Sequence, residues 1–256
     1  MEWIDWAVSQ GFVAVKFHCW NVFEKDLELA RAARARFPNL TFMLDVENNY
    51  SFADAEAMAA ELTALGGYAW FEAPLFDSDT RGYQRLTAKS GVDIIPSGNW
   101  IQDLCVPQHR RALLTSPVYI LTCFVAADSP NYRECLDRGC WSRGRCDAVI
   151  CGGLTPGKKY LAMAESFGMP TEVMSWGNTL GSGANLHLMC SSSGSSYFEM
   201  AVPYEPYEYG MLDVIRPDDE GYVHAPSGPG LGLRVDWEAM EDATVHRIAV
   251  GEGEQW

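Results

Sequence analysis

Lys16 and His18 sit two positions apart at the end of an apolar, β-branched run over 12–17 (FVAVKF). On a strand that spacing turns both side chains to one face. A lysine beside an imidazole lowers the proton affinity of both, which makes either a candidate general base near neutral pH. Asp45 ends a second apolar run over 40–46 (LTFMLDV), and Glu72 follows a third over 68–71. If these runs are neighbouring strands, the two carboxylates lie about one strand spacing apart, and hard oxygen ligands so placed suit Mg²⁺. Asp147, before Cys151-Gly152-Gly153, and Glu199, after Tyr197-Phe198, are two further acids at expected strand ends. Each group also has a plainer reading. A carboxylate can cap the following helix or pair across a surface, a strand-end lysine can be a solvated charge, and a lone histidine can be a packed, hydrogen-bonded residue.

Such groups need an alternation of strands and helices to hold them, and the hydrophobic period supplies it. Leu27, Ala30, Ala33 and Phe37 fall near helical spacing and end at Pro38-Asn39. Ser51 with Asp54 three residues later opens a helix whose Ala55, Met58, Ala59, Leu62 and Leu65 form one apolar stripe, closed by Gly66-Gly67. A helix over 82–89, a strand over 92–96, a strand over 146–150, a helix over 156–167 and strands over 171–174 and 196–198 continue the series. The strand-end positions Lys16, Asp45, Glu72, Gly98, Asp147, Met174 and Glu199 recur every 25 to 29 residues except for one step of 49. Near-equal steps are those of βα units, whose right-handed succession closes into a barrel with its chemistry at the carboxyl ends of the strands. A doubly wound open sheet is the alternative, but no glycine-rich phosphate turn follows any strand.

The expected fold is therefore an α/β, incomplete TIM-like (β/α) barrel over residues 1–203. The long step places an insertion near 105–132, punctuated by Pro107, Pro117 and Pro130. Residues 204–256, dense in Pro, Gly and Tyr, read as a tail that wraps the barrel. Trp176, in the loop after the 171–174 strand, is expected to line the pocket.

Composition narrows the partners. The 256 residues are 48% hydrophobic and 21% charged, carry a net charge of −15, and include nine Trp, eleven Tyr and eleven Phe. That is enough apolar surface for a sizeable core, and the acidity argues against nucleic acid or an anionic membrane as partner. The longest apolar run, 118–127, is about half the roughly 20 residues of a membrane span. No basic and apolar leader opens the chain. Eight cysteines, mostly in apolar segments, suit a reduced, cytoplasmic protein. Cys135, Cys140, Cys146 and Cys151 are spaced by five, six and five positions, unlike the close pairs of structural zinc sites.

The motifs AVKFHCW (14–20), LDVEN (44–48), WFEAP (70–74), SGNW (97–100), CDAVICGG (146–153), ESFGMP (165–170), YFE (197–199) and PGLG (229–232), in that order, resemble the barrel domain of the enolase superfamily in its mandelate racemase and muconate lactonizing enzyme branch. The resemblance covers nearly the whole chain. It implies Mg²⁺-assisted removal of the proton α to a carboxylate, giving an enediolate. Asp45 and Glu72 match the first two metal ligands, His18 falls at the position of a catalytic base, and Lys16 matches the lysine that polarises the carboxylate. Asp147 matches the acid of an Asp-His pair, and Glu199 the group that hydrogen-bonds the enediolate.

Departures from the family pattern shape the expected reaction. The third ligand position holds Gly98, followed by Asn99, whose carbonyl can bind Mg²⁺ without adding charge. Met174 stands where the pair's histidine belongs and cannot transfer a proton. A single base on one face suits dehydration of a sugar acid to a 2-keto-3-deoxy acid better than two-base racemisation, with a racemase, epimerase or cycloisomerase as alternatives. The family's capping domain and first barrel strand have no counterpart in these residues, so the sequence reads as a fragment, and a non-catalytic barrel serving as an interaction module is the rival from another class. The expected ligand is a small carboxylate; a homo-oligomer is left open.

Overall fold

The computed structural model describes residues 1–97 and 130–246. Its elements, in order, are α1 (Glu2–Ser9), β1 (Ala14–His18), α2 (Phe23–Arg36), β2 (Thr41–Asp45), α3 (Phe52–Leu65), β3 (Tyr68–Glu72), α4 (Thr80–Thr87), β4 (Asp93–Ile95), α5 (Pro130–Asp137), β5 (Gly144–Cys146), α6 (Leu154–Ser166), β6 (Thr171–Val173), α7 (Thr179–Met189), α8 (Glu205–Glu208) and α9 (Trp237–Asp242). Strands β1 to β4 form one parallel sheet in sequence order, and β5 and β6 form a parallel pair. Ser142 joins the two, its N–H donating to the Ile94 carbonyl at 2.9 Å and its Oγ accepting from the Ile94 N–H at 3.0 Å. The result is the expected α/β succession of parallel strands, each followed by a helix.

The pleat separates two faces. Phe42, Leu44, Phe71 and Ile94 point outward into the large core under the helices. There the α3 stripe buries Ala55, Met58, Ala59 and Leu62, and full burial of Met58 and Leu62 contributes about 2 kcal/mol each. Ser51 caps α3 by accepting the Asp54 N–H at 3.2 Å, and Gly66 ends it at φ 63°. That left-handed φ is open to glycine at little cost. On the inner face Met43, Trp70 and Ile95 form a separate small core against Ala14, Ala69 and Tyr197.

Several expected boundaries move. β5 covers Gly144–Cys146 instead of 146–150, because Gly144, Arg145 and Cys146 pair with Thr171, Glu172 and Val173 while the chain turns from Asp147 onward. The expected strand over 196–198 makes no ladder. Side chains tie it to β6 instead: the buried Glu172 carboxylate accepts from the Ser196 N–H at 3.0 Å, the Ser196 Oγ at 2.6 Å and the Tyr197 N–H at 3.3 Å. One serine hydroxyl and two backbone N–H groups, all donating to a carboxylate, thus replace the backbone pairing that the β-rich sequence Tyr197-Phe198 suggests. Most of the expected 105–132 insertion lies outside the described residues; its end enters α5.

Within 204–246, two short helices and two isolated antiparallel bridges, Met211 to Val235 and Pro217 to Val223, accompany long irregular stretches. This segment touches the rest of the chain at α1 and at α7. Trp6 packs on Tyr204 at 5.3 Å between ring centres, and the Leu231 carbonyl lies 3.1 Å from His187 Nε2. Among the described residues no helix is long and apolar enough to cross a membrane.

Candidate active site

Register builds the site. His18 pairs with Asp45 across β1 and β2, and Asp45 pairs with Glu72 across β2 and β3, so the three lie in one row at the carboxyl ends of adjacent parallel strands. Lys16 stands two residues below His18 on the same face and reaches up into the row. Its ammonium Nζ is 3.0 Å from Glu72 Oε2, 3.1 Å from Glu199 Oε1 and 3.3 Å from Asp45 Oδ2. Four of the residues expected from sequence, Lys16, Asp45, Glu72 and Glu199, thus meet around one nitrogen.

Arg145 is the member that the sequence reading missed. It is wholly buried on β5, and its Nη2 lies 2.6 Å from Glu199 Oε1 and 2.9 Å from Glu72 Oε1. The one signal present was its spacing, since Arg145 precedes Asp147 by two residues. Starting the strand at 146 instead of 144 hid its inward direction. Trp70 is a second omission. Its indole Nε1 donates to Glu72 Oε2 at 3.1 Å, so Glu72 meets cations on both oxygens and an indole on one.

Three carboxylates and two cations leave this buried cluster with one net negative charge. Burial alone would lower the Lys16 ammonium, but Glu199, Glu72 and Asp45 outweigh it and hold the lysine well above its ordinary value. The three carboxylates thus favour the charged ammonium of Lys16 over the neutral amine that a general base requires. Burial works against the Glu199 carboxylate too, yet Arg145 and Lys16 pull it down from 4.5 to about 2. Glu72 is pushed up by burial against the opposing pull of Arg145 and Lys16.

The other candidates stand apart from that nitrogen. His18 is exposed at the mouth, with Nδ1 2.9 Å from Glu47 Oε1 and Nε2 3.6 Å from Asp45 Oδ2. Asp147 is buried, and its Oδ1 accepts the Val149 N–H and the Asn185 Nδ2, each at 2.7 Å. Asn185 returns its own Oδ1 to the Ala148 N–H at 2.7 Å. Asp147 thereby secures the turn after β5, the loop-capping reading, and burial raises its carboxyl despite the Asn185 bond. Asn99 and Gly98 lie outside the described residues. Met174, half-buried, spends its N–H on the Cys146 carbonyl at 2.8 Å.

A cavity of about 490 Å³ opens beside the cluster, bounded by Lys16, His18 and Glu199 at its polar end and by Trp3, Trp70, Trp176 and Tyr197 elsewhere. Trp176 lines the cavity as expected, with its ring 5.1 Å from that of Tyr207. The donor chemistry fits a hard divalent cation in part. Asp45 and Glu72 already converge on one positive charge, but among the described residues no three His, Cys, Asp or Glu side chains are arranged to hold a metal.

The family profile described as Enolase C-terminal domain-like matches residues 2–98 and 99–239. The chain belongs to that family. A Pseudovibrio sp. protein described as a mandelate racemase/muconate lactonizing enzyme superposes with a TM-score of 0.81 at 34% identity, over 96% of this chain and 59% of its own. The magnesium complex of D-glucarate dehydratase from Agrobacterium tumefaciens superposes at 0.75 and 23% identity, over 94% and 58%, which shows the shared fold. In sequence, the D-galactarolactone cycloisomerase of Agrobacterium fabrum is 21% identical over 243 residues, 91% of this chain and 57% of that protein. The chain thus spans a little under three fifths of the length of these relatives.

Proposed function

We propose that this chain carries the acid-handling face of a Mg²⁺-dependent enzyme that removes the proton α to a carboxylate, acting on a sugar acid by dehydration to a 2-keto-3-deoxy acid. The observation that carries the reading is the convergence on one cation of Asp45 and Glu72, at the ends of adjacent strands, and of Glu199 from the segment after β6. Similarity to a D-galactonate dehydratase family member from Enterococcus gallinarum, 27% identical over 97 residues, 37% of this chain and 24% of that protein, supports the substrate class. Asp45 and Glu72, with Asn99, would hold Mg²⁺, which when bound neutralises charge developing on the substrate carboxylate. Lys16, kept protonated, pairs with a substrate carboxylate oxygen. His18, exposed at the mouth with one nitrogen directed to Glu47, receives the α-proton on the other. Trp176 and Tyr197 cover the rest of the substrate and reduce its contact with water.

The test is incubation of the chain with a panel of sugar acids and MgCl₂ in D₂O, followed by proton NMR, with His18→Asn as control. A 2-keto-3-deoxy product that disappears in His18→Asn supports dehydration. Deuterium entering the substrate without net product points to epimerisation. A folded chain that does neither supports the rival, a barrel without its own catalysis.

A further inference from the structure

Arg145 is a buried positive charge against two carboxylates, one of which the proposed function assigns to a metal. We propose that Arg145 is a resident counter-cation: it holds Glu72 and Glu199 in position without a metal, and it limits how tightly the Asp45–Glu72 pair takes a divalent cation. This rests on the metal-binding reading above and adds to it a positioning residue on a different strand.

The geometry distinguishes the two cations. Lys16 retains 15% side-chain exposure, hangs on four methylenes, and touches each of the three carboxylates through single oxygens at 3.0 to 3.3 Å. An arriving metal can displace it. Arg145 has no exposure, is seated on β5 by the Glu172 pairing, and bridges Glu72 and Glu199 through one nitrogen. Withdrawing it would leave a guanidinium buried without its carboxylates, which is costly. A divalent ion held by Asp45 and Glu72 would therefore share the Glu72 carboxylate with Arg145. The charge of that carboxylate is already drawn on, and two cations so placed would repel each other through the protein interior. Glu72 also accepts from Trp70 and Lys16. Without a metal, three of the roughly four acceptor positions of this carboxylate are taken, and Arg145 would keep its own if Lys16 left.

The experiment is calorimetric titration with MgCl₂ of the wild-type chain, Arg145→Gln, Arg145→Lys and Asp45→Ala, with circular dichroism confirming the fold of each. Arg145→Gln should bind Mg²⁺ roughly tenfold more tightly or better, while Arg145→Lys, which keeps the charge, should stay within about threefold of wild type. Asp45→Ala should lose binding. A merely structural arginine would not raise metal affinity when removed. If Arg145→Gln does not fold, Glu199→Gln against Arg145→Gln/Glu199→Gln reads the same factor with one buried charge of each sign removed. Wild-type binding that Arg145→Gln leaves unchanged or weakens overturns the inference and spares the metal reading. Binding by Arg145→Gln alone supports the inference and counts against metal use by the unaltered site. Folded variants that all fail to bind overturn both.

Discussion

Replacing Lys16 with methionine keeps most of the side-chain volume and removes the charge at the centre of the site. Each Lys16 ion pair, at 3.0 to 3.3 Å, is worth about 5 kcal/mol of direct attraction at the effective dielectric of a protein site. Most of that is offset by the desolvation of the ammonium and by repulsion from Arg145. Breaking a buried pair by removing one partner costs about 3 to 5 kcal/mol in practice, because the remaining charge is left uncompensated. Here three carboxylates would face Arg145 alone, and the cluster would go from one net negative charge to two. Lys16→Met should therefore lose about 3 kcal/mol of unfolding free energy at pH 7, read as a lower urea midpoint at unchanged m-value. It should recover part of the loss in millimolar MgCl₂, since a divalent ion replaces the missing charge. A midpoint within error of wild type would refute the reasoning, as would the same loss with no response to magnesium.

Other consequences follow from the same contacts. Glu199 has its folded-state pKa depressed from 4.5 to about 2, so its contribution is fully present above pH 4.5 and is lost as pH falls toward 2. Acid titration followed by circular dichroism should show up to about 3 kcal/mol of stability disappearing in that window, and Glu199→Gln should flatten it. Asn185→Ala leaves the buried Asp147 carboxylate and the Ala148 N–H without their partner and should cost about 1 to 3 kcal/mol in chemical unfolding. Ser51→Ala removes the α3 cap and should cost about 1 kcal/mol by the same assay. Trp176, half exposed on the cavity wall, should change its fluorescence when a sugar acid binds, and Trp176→Phe should reduce that change to the part carried by Trp3 and Trp70.

Much of this was legible in the sequence because short apolar, β-rich runs mark the strands of a parallel sheet. The runs over 12–17, 40–46 and 68–71 end at or next to the residues that the register places in a row, and the alternation of Lys16 with His18 gave their common face. The α3 stripe and its Ser51 cap were equally plain. Arg145 was hidden because a three-residue strand with a buried charge at its centre carries no apolar period; Glu72 and Glu199, distant in sequence, help make its burial tolerable. The segment over 196–198 looked like a strand because Tyr and Phe favour one, yet it is held by the Glu172 carboxylate, and side-chain pairing leaves no period to read. The protonation of Lys16 followed from the same cause. Its nearest sequence neighbour of interest was an imidazole, whereas three carboxylates from other segments decide its charge.

The central claim is that Asp45 and Glu72 form the metal-binding half of an acid-handling site, and calorimetric titration of the folded chain with MgCl₂ tests it most directly. Binding at one site, abolished separately by Asp45→Ala and Glu72→Ala and accompanied by a rise in melting temperature, is the predicted result. A cooperative, folded wild-type chain that takes up no magnesium would contradict it.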